Sequence, residues 1–385
     1  MATALLILLC LWQTGDLSAG QDVLLDQARM LRRAGRSGEA ARLLGPVRAT
    51  RPGDPELDGL LGLVLLDAGR ADDAVAVARD WARYDGDCYR IHVLLARVAE
   101  RNGDDRAALA SWRRAGGLKQ APIEALVGQI NTLLRLGKPI AAQKKAELLI
   151  THQPALGQRL LAETLVKQGE GLQALDMAQL GSVIKLYRQA HELLPDDRAV
   201  LLRLADALLR GARIDEAREL LQAQLSAPPD ALQRAFWSGR CFEADRDHER
   251  AREAYLSVLE LEPSHAEASV RLARIALHAG EYAEARQWLQ RGRARLGDSP
   301  RVLSLSAEIH LGLDQPAQAE AALRRVLEQN PQDAGASYQL ARALYAQGRR
   351  EDGDASMARF LELQRSARNT GGDEGGTGRD TDGDS

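Results

Sequence analysis

The sequence predicts an all-α chain of about ten helix–turn–helix repeats, and three observations support this fold class. Small residues recur with a 34-residue period along most of the 385 residues. Glycine and proline recur at fixed offsets within that period, where each can end a helix. Aromatic residues make up only 4% of the chain, too few for the large side chains that usually fill a β-sandwich core.

One position in the first helix of each repeat, here called the anchor, sets the period; it holds a small residue in every repeat except the fourth, which has Ile130. The anchors are spaced by 34 residues, except for 32 before Ala162 and 43 after it: Ala28, Gly62, Ala96, Ile130, Ala162, Ala205, Gly239, Ala273, Ala307 and Ala341. A second small residue follows each anchor by twelve positions: Ala40, Ala74, Ala108, Ala142, Ala174, Ala217, Ala251, Ala285, Ala319 and Gly353. Two helices that touch at these positions need small side chains there.

Glycine marks the turn between the two helices of most repeats, because it accepts the left-handed conformation that ends a helix. It lies seven residues after the anchor, at Gly35, Gly69, Gly103, Gly137, Gly169, Gly280 and Gly348. Proline stops the second helix near the end of most repeats, at Pro52, Pro154, Pro195, Pro229, Pro263 and Pro331. Each repeat is therefore predicted as helix, turn, helix, turn.

The fifth repeat breaks the period with nine extra residues, in or beside the segment 171–181. Val183, Tyr187, Ala190 and Pro195 also suit the second helix of a repeat. The sequence therefore predicts either a second helix about two turns too long or a short additional element. The insertion is interpreted as a tolerated surface feature or, alternatively, as a hinge or docking knob.

A 34-residue unit with these small, glycine, alanine and proline positions resembles the tetratricopeptide repeat family. Counted within each repeat, the anchors stand at position 8, the second small residues at position 20 and the prolines at position 32, as in that family. The resemblance covers roughly Gln21 to Arg365 and implies a right-handed α-solenoid. Repeats 1–4 then occupy residues 21–154, repeat 5 occupies 155–197 and repeats 6–10 occupy 198–366.

The two ends of the chain differ from the repeats. An apolar run from Ala4 to Trp12, followed by small residues around Ala19, predicts a cleaved signal peptide over residues 1–20 and no membrane span after cleavage. The alternative is a short helix of an unexported protein, since no Lys or Arg precedes the apolar run. Residues 367–385 are rich in glycine and acidic residues and are predicted to be a disordered acidic tail.

Composition and motifs argue against catalysis. The formal charge is -3, so no basic field indicates nucleic-acid binding. The seven histidines are scattered singly, and Cys10, Cys88 and Cys241 form neither a metal-binding pair nor a disulfide framework. Phosphate-binding loop and nucleophile-elbow motifs are missing from the sequence. The repeats leave little room for a catalytic domain, so we expect no enzyme, cofactor or metal site.

The resemblance implies that positions 2, 5, 9, 12 and 13 of the first helices line a concave groove. Half of the position-9 residues are arginine, a residue that can bind carboxylates through two hydrogen bonds. The candidate groove residues are Arg29, Arg97, Asn131, Phe236, Arg240, Arg274, Tyr338 and Arg342. Phe236, Arg240 and Arg274 are predicted to form one contact patch. The hypothesis is a groove for an extended acidic or C-terminal peptide; the alternative is ordinary solvated helix surface.

These features favour a non-catalytic scaffold that binds other proteins or extended peptide segments. A signal peptide before such repeats resembles assembly and secretion components of the bacterial envelope, of the exopolysaccharide, pilus or cytochrome-maturation type. The expected location is the periplasm or cell envelope. The alternative is a cytoplasmic adaptor or regulator of a separate enzyme, which would retain residues 1–20.

Overall fold

The computed structural model describes residues 17–86, 88–175, 179–224 and 231–370, and within them the chain forms twenty helices and no strands. The first helices of the ten repeats are α1 Leu17–Arg33, α3 Pro55–Asp67, α5 Tyr89–Arg101, α7 Ile123–Arg135, α9 Pro154–Leu175, α11 Arg198–Arg210, α13 Ala231–Ala244, α15 Ala266–His278, α17 Pro300–Gly312 and α19 Ala334–Ala346. The second helices are α2 Ser37–Thr50, α4 Ala71–Asp85, α6 Asp105–Gly117, α8 Pro139–His152, α10 Leu180–Leu193, α12 Ile214–Gln224, α14 His248–Leu261, α16 Tyr282–Leu296, α18 Pro316–Gln329 and α20 Arg350–Thr370. The predicted all-α fold class is confirmed.

The chain divides into two compact bodies, an N-terminal body up to residue 207 and a C-terminal body from residue 208. Within each body, helices pack mainly against their neighbours in the chain, and first helices of consecutive repeats also touch, as α1 touches α3 and α15 touches α17. This is the contact pattern of a stacked repeat array, in which each repeat buries its apolar face against the next.

The anchors and the second small residues lie at the helix contacts, as predicted. All ten anchors are buried, and so is every second small residue except Ala174, whose side chain lies outside the described part. At the anchor Gly239, an added Cβ would lie 2.7 Å from a ring carbon of Tyr255 on the second helix of the same repeat. The lack of a side chain at Gly239 thus allows α13 and α14 to approach this closely.

The turns confirm six of the seven predicted glycines, and they add three residues of other types. Gly35, Gly69, Gly103, Gly137, Gly280 and Gly348 all have positive φ, between 66° and 78°. Three repeats without glycine place Ala212, Arg246 and Asp314 at the equivalent position, with φ of 55°, 62° and 55°. The turn therefore keeps its left-handed residue even where the side chain disfavours it.

The fifth repeat corrects two predictions. Gly169 does not end a helix, because it lies inside α9, where an added Cβ would meet the Tyr187 ring at 2.3 Å. The first helix, and not the second, is lengthened: α9 has 22 residues, nine more than α7 or α11. Val183 and Tyr187 are buried at the contact with α9. The twelve-residue offset from Ala162 to Ala174 fails here because the helix continues past both residues.

The C-terminal boundary also moves. The predicted tail begins at residue 367, but α20 continues to Thr370. Residues 354–370 contain no glycine or proline that would end the helix, and two glycines follow them at 371 and 372. The remainder of that predicted tail, residues 371–385, lies outside the described residues, as do residues 1–16 of the predicted signal peptide. Leu17 already belongs to α1.

Candidate protein-binding cleft

A cleft of about 450 Å³ opens on the N-terminal body across the first helices of repeats 1–4. Its lining comes from α1, α3, α5, and the start of α7: Arg29, Arg32, Pro55, Glu56, Gly59, Leu60, Leu63, Tyr89, Arg90, Val93, Leu94, Pro122 and Glu124. Many of these residues occupy positions 2, 5, 9 or 12 of their repeats. Residues three or four apart share one face of a helix, so this spacing directs them to a common surface.

The floor of the cleft is apolar. Leu60 and Leu94 are buried in the body, and Leu63 and Val93 are half-buried beside them. Gly59 on α3 has no side chain, and an added Cβ would make only ordinary contact with the Trp81 ring, at 3.5 Å. The floor therefore offers apolar area to a bound side chain. It is deep at α3 because Gly59 has no side chain there.

Ion pairs between first helices form much of the rim. Arg29 donates to Asp26 at 2.8 Å and to Glu56 on α3 at 3.2 Å. Arg97 on α5 donates to Glu124 on α7 at 2.9 Å. Both interhelical pairs join position 9 of one repeat to position 2 of the next. They are exposed, so each contributes at most about 1 kcal/mol to stability.

Arg90 differs from the other rim arginines. Its Nε donates to the Tyr89 hydroxyl at 3.2 Å, and its guanidinium carbon lies 5.9 Å from the centre of the Tyr89 ring. Within the described residues, no carboxylate lies within ion-pair distance of Arg90. By contrast, the rim residue Arg32 pairs with Asp67 at 2.5 Å. Arg90 is thus a positive charge that α5 presents to solvent beside the cleft.

The sequence-predicted groove residues fall into two groups. In the N-terminal body, Arg29 lines the cleft and Arg97 pairs with the lining residue Glu124. Asn131 on α7 is half-buried and lies outside the cleft lining. Arg90, Tyr89 and the apolar floor were not among the residues predicted from the sequence. Arg90 and Val93 occupy positions 2 and 5 of repeat 3, and this spacing is the signal that could have indicated them.

In the C-terminal body, Phe236 packs into the repeat rather than standing free. Its ring centre lies 5.8 Å from that of Tyr255 and 5.2 Å from that of His265. The Arg240 guanidinium lies 5.2 Å from the ring centre of Trp237, and Arg274 is hydrogen-bonded to Glu243. The Phe236 ring and the guanidinium groups of Arg240 and Arg274 therefore already make contacts within the body.

Tyr338 and Arg342 lie together on α19. Tyr338 is 40% exposed, and its ring packs at a tilt against Phe360 of α20, with 5.3 Å between the ring centres. Arg342 is exposed and donates to Gln339 at 3.1 Å. Neither residue lines a described cleft, so these two remain predictions as partner-binding residues.

Two glutamates at position 12 join neighbouring repeats. Glu243 accepts hydrogen bonds from the Tyr255 hydroxyl at 2.8 Å and from Arg271 at 3.1 Å, in addition to its bond with Arg274. Burial acts to raise the pKa of Glu243, but the two guanidinium groups outweigh it and hold the pKa below its usual value. These arginines stabilise the stack, so a bound peptide would have to compete with Glu243 for Arg274.

Glu100 performs the same role in repeat 3. It accepts from the Trp112 indole at 3.1 Å within its own repeat, and from Thr132 at 3.2 Å and Arg135 at 2.8 Å in the next. In both repeats the aromatic donor stands at position 24. The same arrangement of a position-12 glutamate and a position-24 aromatic donor in both repeats indicates that it fixes one repeat against the next.

No helix among the described residues combines the length and apolar character needed to cross a bilayer. No group of three or more His, Cys, Asp or Glu side chains in that part of the chain is arranged to hold a metal ion.

Comparison with known proteins agrees with the repeat architecture. The family model described as tetratricopeptide repeat matches residues 31–98, 174–236, 243–309 and 310–365. A crystal structure of a tetratricopeptide repeat protein from Parabacteroides merdae superposes with a TM-score of 0.53 and 11% identity, covering 66% of this chain and 98% of that one. At this identity the likeness shows the fold alone.

Two curated relatives have similar names. The cellulose synthase operon protein C of Xanthomonas axonopodis pv. citri is 26% identical over 382 residues, covering 91% of this chain and 23% of that protein. The cellulose synthase 2 operon protein C of Komagataeibacter xylinus is 30% identical over 206 residues, covering 52% of this chain and 15% of that protein. The chain thus spans less than a quarter of the length of either relative. The family match and the helix pairs together show that the chain belongs to the tetratricopeptide repeat family.

Proposed function

We propose that the chain is a non-catalytic scaffold for exopolysaccharide production at the bacterial cell envelope. In this role the cleft across α1, α3, α5 and α7 binds an extended segment of a partner protein. The observation that carries the proposal is the cleft itself, which has an apolar floor and a charged rim on four consecutive first helices. The similarity to one cellulose synthase operon protein over 91% of the chain, and to a second over 52%, supports the exopolysaccharide pathway.

The dimensions of the repeats suit an extended segment. Packed helices lie about 8–10 Å apart, so four consecutive first helices span roughly 24–30 Å. An extended chain covers about 3.3 Å per residue, so roughly eight residues would cross the cleft. Rigid helices hold the lining side chains at fixed separations, which lowers the entropy cost of binding.

A crosslinking experiment in intact cells tests the cleft. A photo-crosslinking amino acid replaces Leu63 in the cleft floor or, as a control, Leu148, which is 48% exposed on α8 outside the cleft lining. We expect a crosslinked partner protein from position 63 and none from position 148. Equal crosslinking from both positions, or from neither, would exclude the cleft as the binding surface.

A complementation experiment tests the pathway. A strain lacking the gene is complemented with the wild type, with Leu63→Gln or with the matched Leu148→Gln, and its exopolysaccharide is measured. We expect the cleft variant to lower the yield and the control variant to restore it. Unchanged yield in the deletion strain itself would contradict a role in exopolysaccharide production.

The envelope location is tested by the mature N-terminus. Mass spectrometry of the chain purified from cells should show loss of about the first 20 residues, since a signal peptide of that length is removed on export. An intact N-terminus together with a cytoplasmic location would favour the cytoplasmic adaptor instead.

A further inference from the structure

We infer that the cleft selects an extended protein segment in which a large apolar side chain stands beside a carboxylate, with Arg90 binding that carboxylate. The inference rests on the proposed function and specifies the chemistry of the partner segment. It follows from which rim charges are already paired and which one is not.

Most of the charges on the rim are satisfied within the body. Glu56 pairs with Arg29, Glu124 pairs with Arg97, and the Arg32 guanidinium pairs with Asp67. A ligand charge near any of these groups must compete with a carboxylate or guanidinium already in place. These pairs therefore add little selectivity for an acidic or a basic partner.

Within the described residues Arg90 is the cleft-lining arginine that forms no ion pair, and the charge of Glu56 on α3 acts on it only at longer range. Within the described part of the chain, its polar contact is the neutral Tyr89 hydroxyl, at 3.2 Å. That contact leaves the other guanidinium N–H groups to donate, and a carboxylate can accept two of them in parallel. The Tyr89 ring lies beside the guanidinium and limits its rotamers, so less side-chain entropy is lost on binding.

The apolar requirement comes from the floor next to Arg90. Val93 stands one turn further along α5, and Leu63 faces the same cleft from α3. Gly59 leaves the floor open at α3, so an aliphatic or aromatic side chain can be buried there. Burial of apolar area supplies affinity, while the Arg90 contact supplies selectivity for the neighbouring carboxylate.

Peptide display on the intact chain tests the inference. A phage library of random peptides of about twelve residues, long enough to cross the cleft, is selected on the wild type, on Arg90→Gln, on Leu63→Gln and on Arg106→Gln. Arg106 is an exposed arginine on α6 outside the cleft and serves as the matched control. Circular dichroism of each variant checks that the helices are retained.

We expect the wild type and Arg106→Gln to enrich peptides in which Asp or Glu adjoins Leu, Ile, Met or Phe. A synthetic copy of an enriched peptide should lose affinity about tenfold when its acid is changed to the amide, because a charge-assisted contact is lost. Arg90→Gln should bind the acid and amide peptides equally. Leu63→Gln should enrich neither.

The other outcomes separate the two proposals. Enriched peptides without the acid, or an acid preference that survives Arg90→Gln, would overturn the inference. If binding of those peptides still depended on Leu63, the cleft would remain the peptide-binding site. Peptides that bind Leu63→Gln as well as the wild type, or no enrichment at all, would contradict both the inference and the cleft as a peptide-binding site.

Discussion

At the scale of single residues, the turn between the helices of a repeat demands a left-handed backbone. Repeats with glycine adopt it without a steric penalty, whereas Ala212, Arg246 and Asp314 adopt it against the preference of their side chains. A residue other than glycine loses about 1–2 kcal/mol in this conformation because its Cβ crowds the carbonyl oxygen. The packing of the helices on either side of the turn must supply that energy.

Arg246→Gly should therefore stabilise the C-terminal body. The variant removes the left-handed penalty but adds freedom to the unfolded chain, so the expected net gain is about 0.5–1 kcal/mol. The measurement is the midpoint of chemical unfolding. The matched control is Arg286→Gly, at an exposed interior position of α16, which should destabilise by about 1 kcal/mol. A shift of the same sign in both variants would contradict the turn assignment.

The buried second small residues lead to a prediction of the opposite kind. Ala251 on α14 is fully buried, so Ala251→Leu should destabilise by about 1–3 kcal/mol through overpacking. Ala358→Leu, on an exposed face of α20, is the control and should leave stability almost unchanged. Thermal unfolding compares the two. Equal melting temperatures would mean that position 20 is not a helix contact in repeat 7.

The repeat period alone predicted the helix contact at Ala251 and the turn at Gly35, because close helix packing and a left-handed turn are needed at the same positions in most repeats. It misplaced Gly169 because close helix approach and a left-handed turn both select glycine, and the sequence does not say which applies. Periodicity identified Arg29 at the cleft but not Arg90, because Arg90 is distinguished by the ion pairs that the neighbouring arginines form with nearby carboxylates. That depends on tertiary geometry, which a repeat pattern does not specify.

At the scale of helices, the position-12 glutamates connect elements that are distant in sequence. Glu243 on α13 holds Arg271 and Arg274 on α15 as well as Tyr255 on α14. Both Glu243 and Arg271 are nearly buried, with 13% and 12% of their side chains exposed. A charge in such a place is retained only because several donors satisfy it. These contacts of Glu243 with Arg271, Arg274 and Tyr255, here called the joint, therefore fix the register of α15 against α13.

Glu243→Gln should weaken this joint, because it removes the carboxylate that Arg271 and Arg274 share, although Arg271 retains its ion pair with Glu267. Removing one partner of a buried pair typically costs about 3–5 kcal/mol, and the retained amide oxygen together with the Arg271–Glu267 pair should limit the loss to about 3 kcal/mol. The control, Glu362→Gln, removes an exposed partner of Arg359 and should cost less than about 1 kcal/mol. Chemical unfolding near pH 7 measures both.

The same joint predicts a dependence on pH. The folded-state pKa of Glu243 lies below its usual value, so its charge stabilises the folded state above the unfolded pKa of about 4.3. That contribution should be lost as the pH falls through the lower folded pKa. The wild type should therefore lose stability on acidification more steeply than Glu243→Gln. Parallel stability curves below pH 5 would show that the Glu243 charge does not contribute.

At the scale of the whole molecule, contacts link mainly adjacent and next-adjacent helices. Each repeat then depends on its neighbours and little on distant segments, and stability is approximately a sum of repeat and interface terms. A cut between repeats should remove one interface and leave the other interfaces intact.

A fragment that ends after Pro229 should accordingly stay folded and soluble. It keeps the helices α1 to α12, and the cut falls between the end of α12 at Gln224 and the start of α13 at Ala231, so it interrupts neither of these two helices. The fragment exposes the face of its last repeat, so it should unfold at a lower denaturant concentration than the full chain, although its helical signal per residue should be similar. A cut after Ala251, inside α14, is the control and should leave a frayed final repeat. Circular dichroism with chemical unfolding compares the fragments, and loss of helix throughout the Pro229 fragment would show that the repeats depend on distant segments after all.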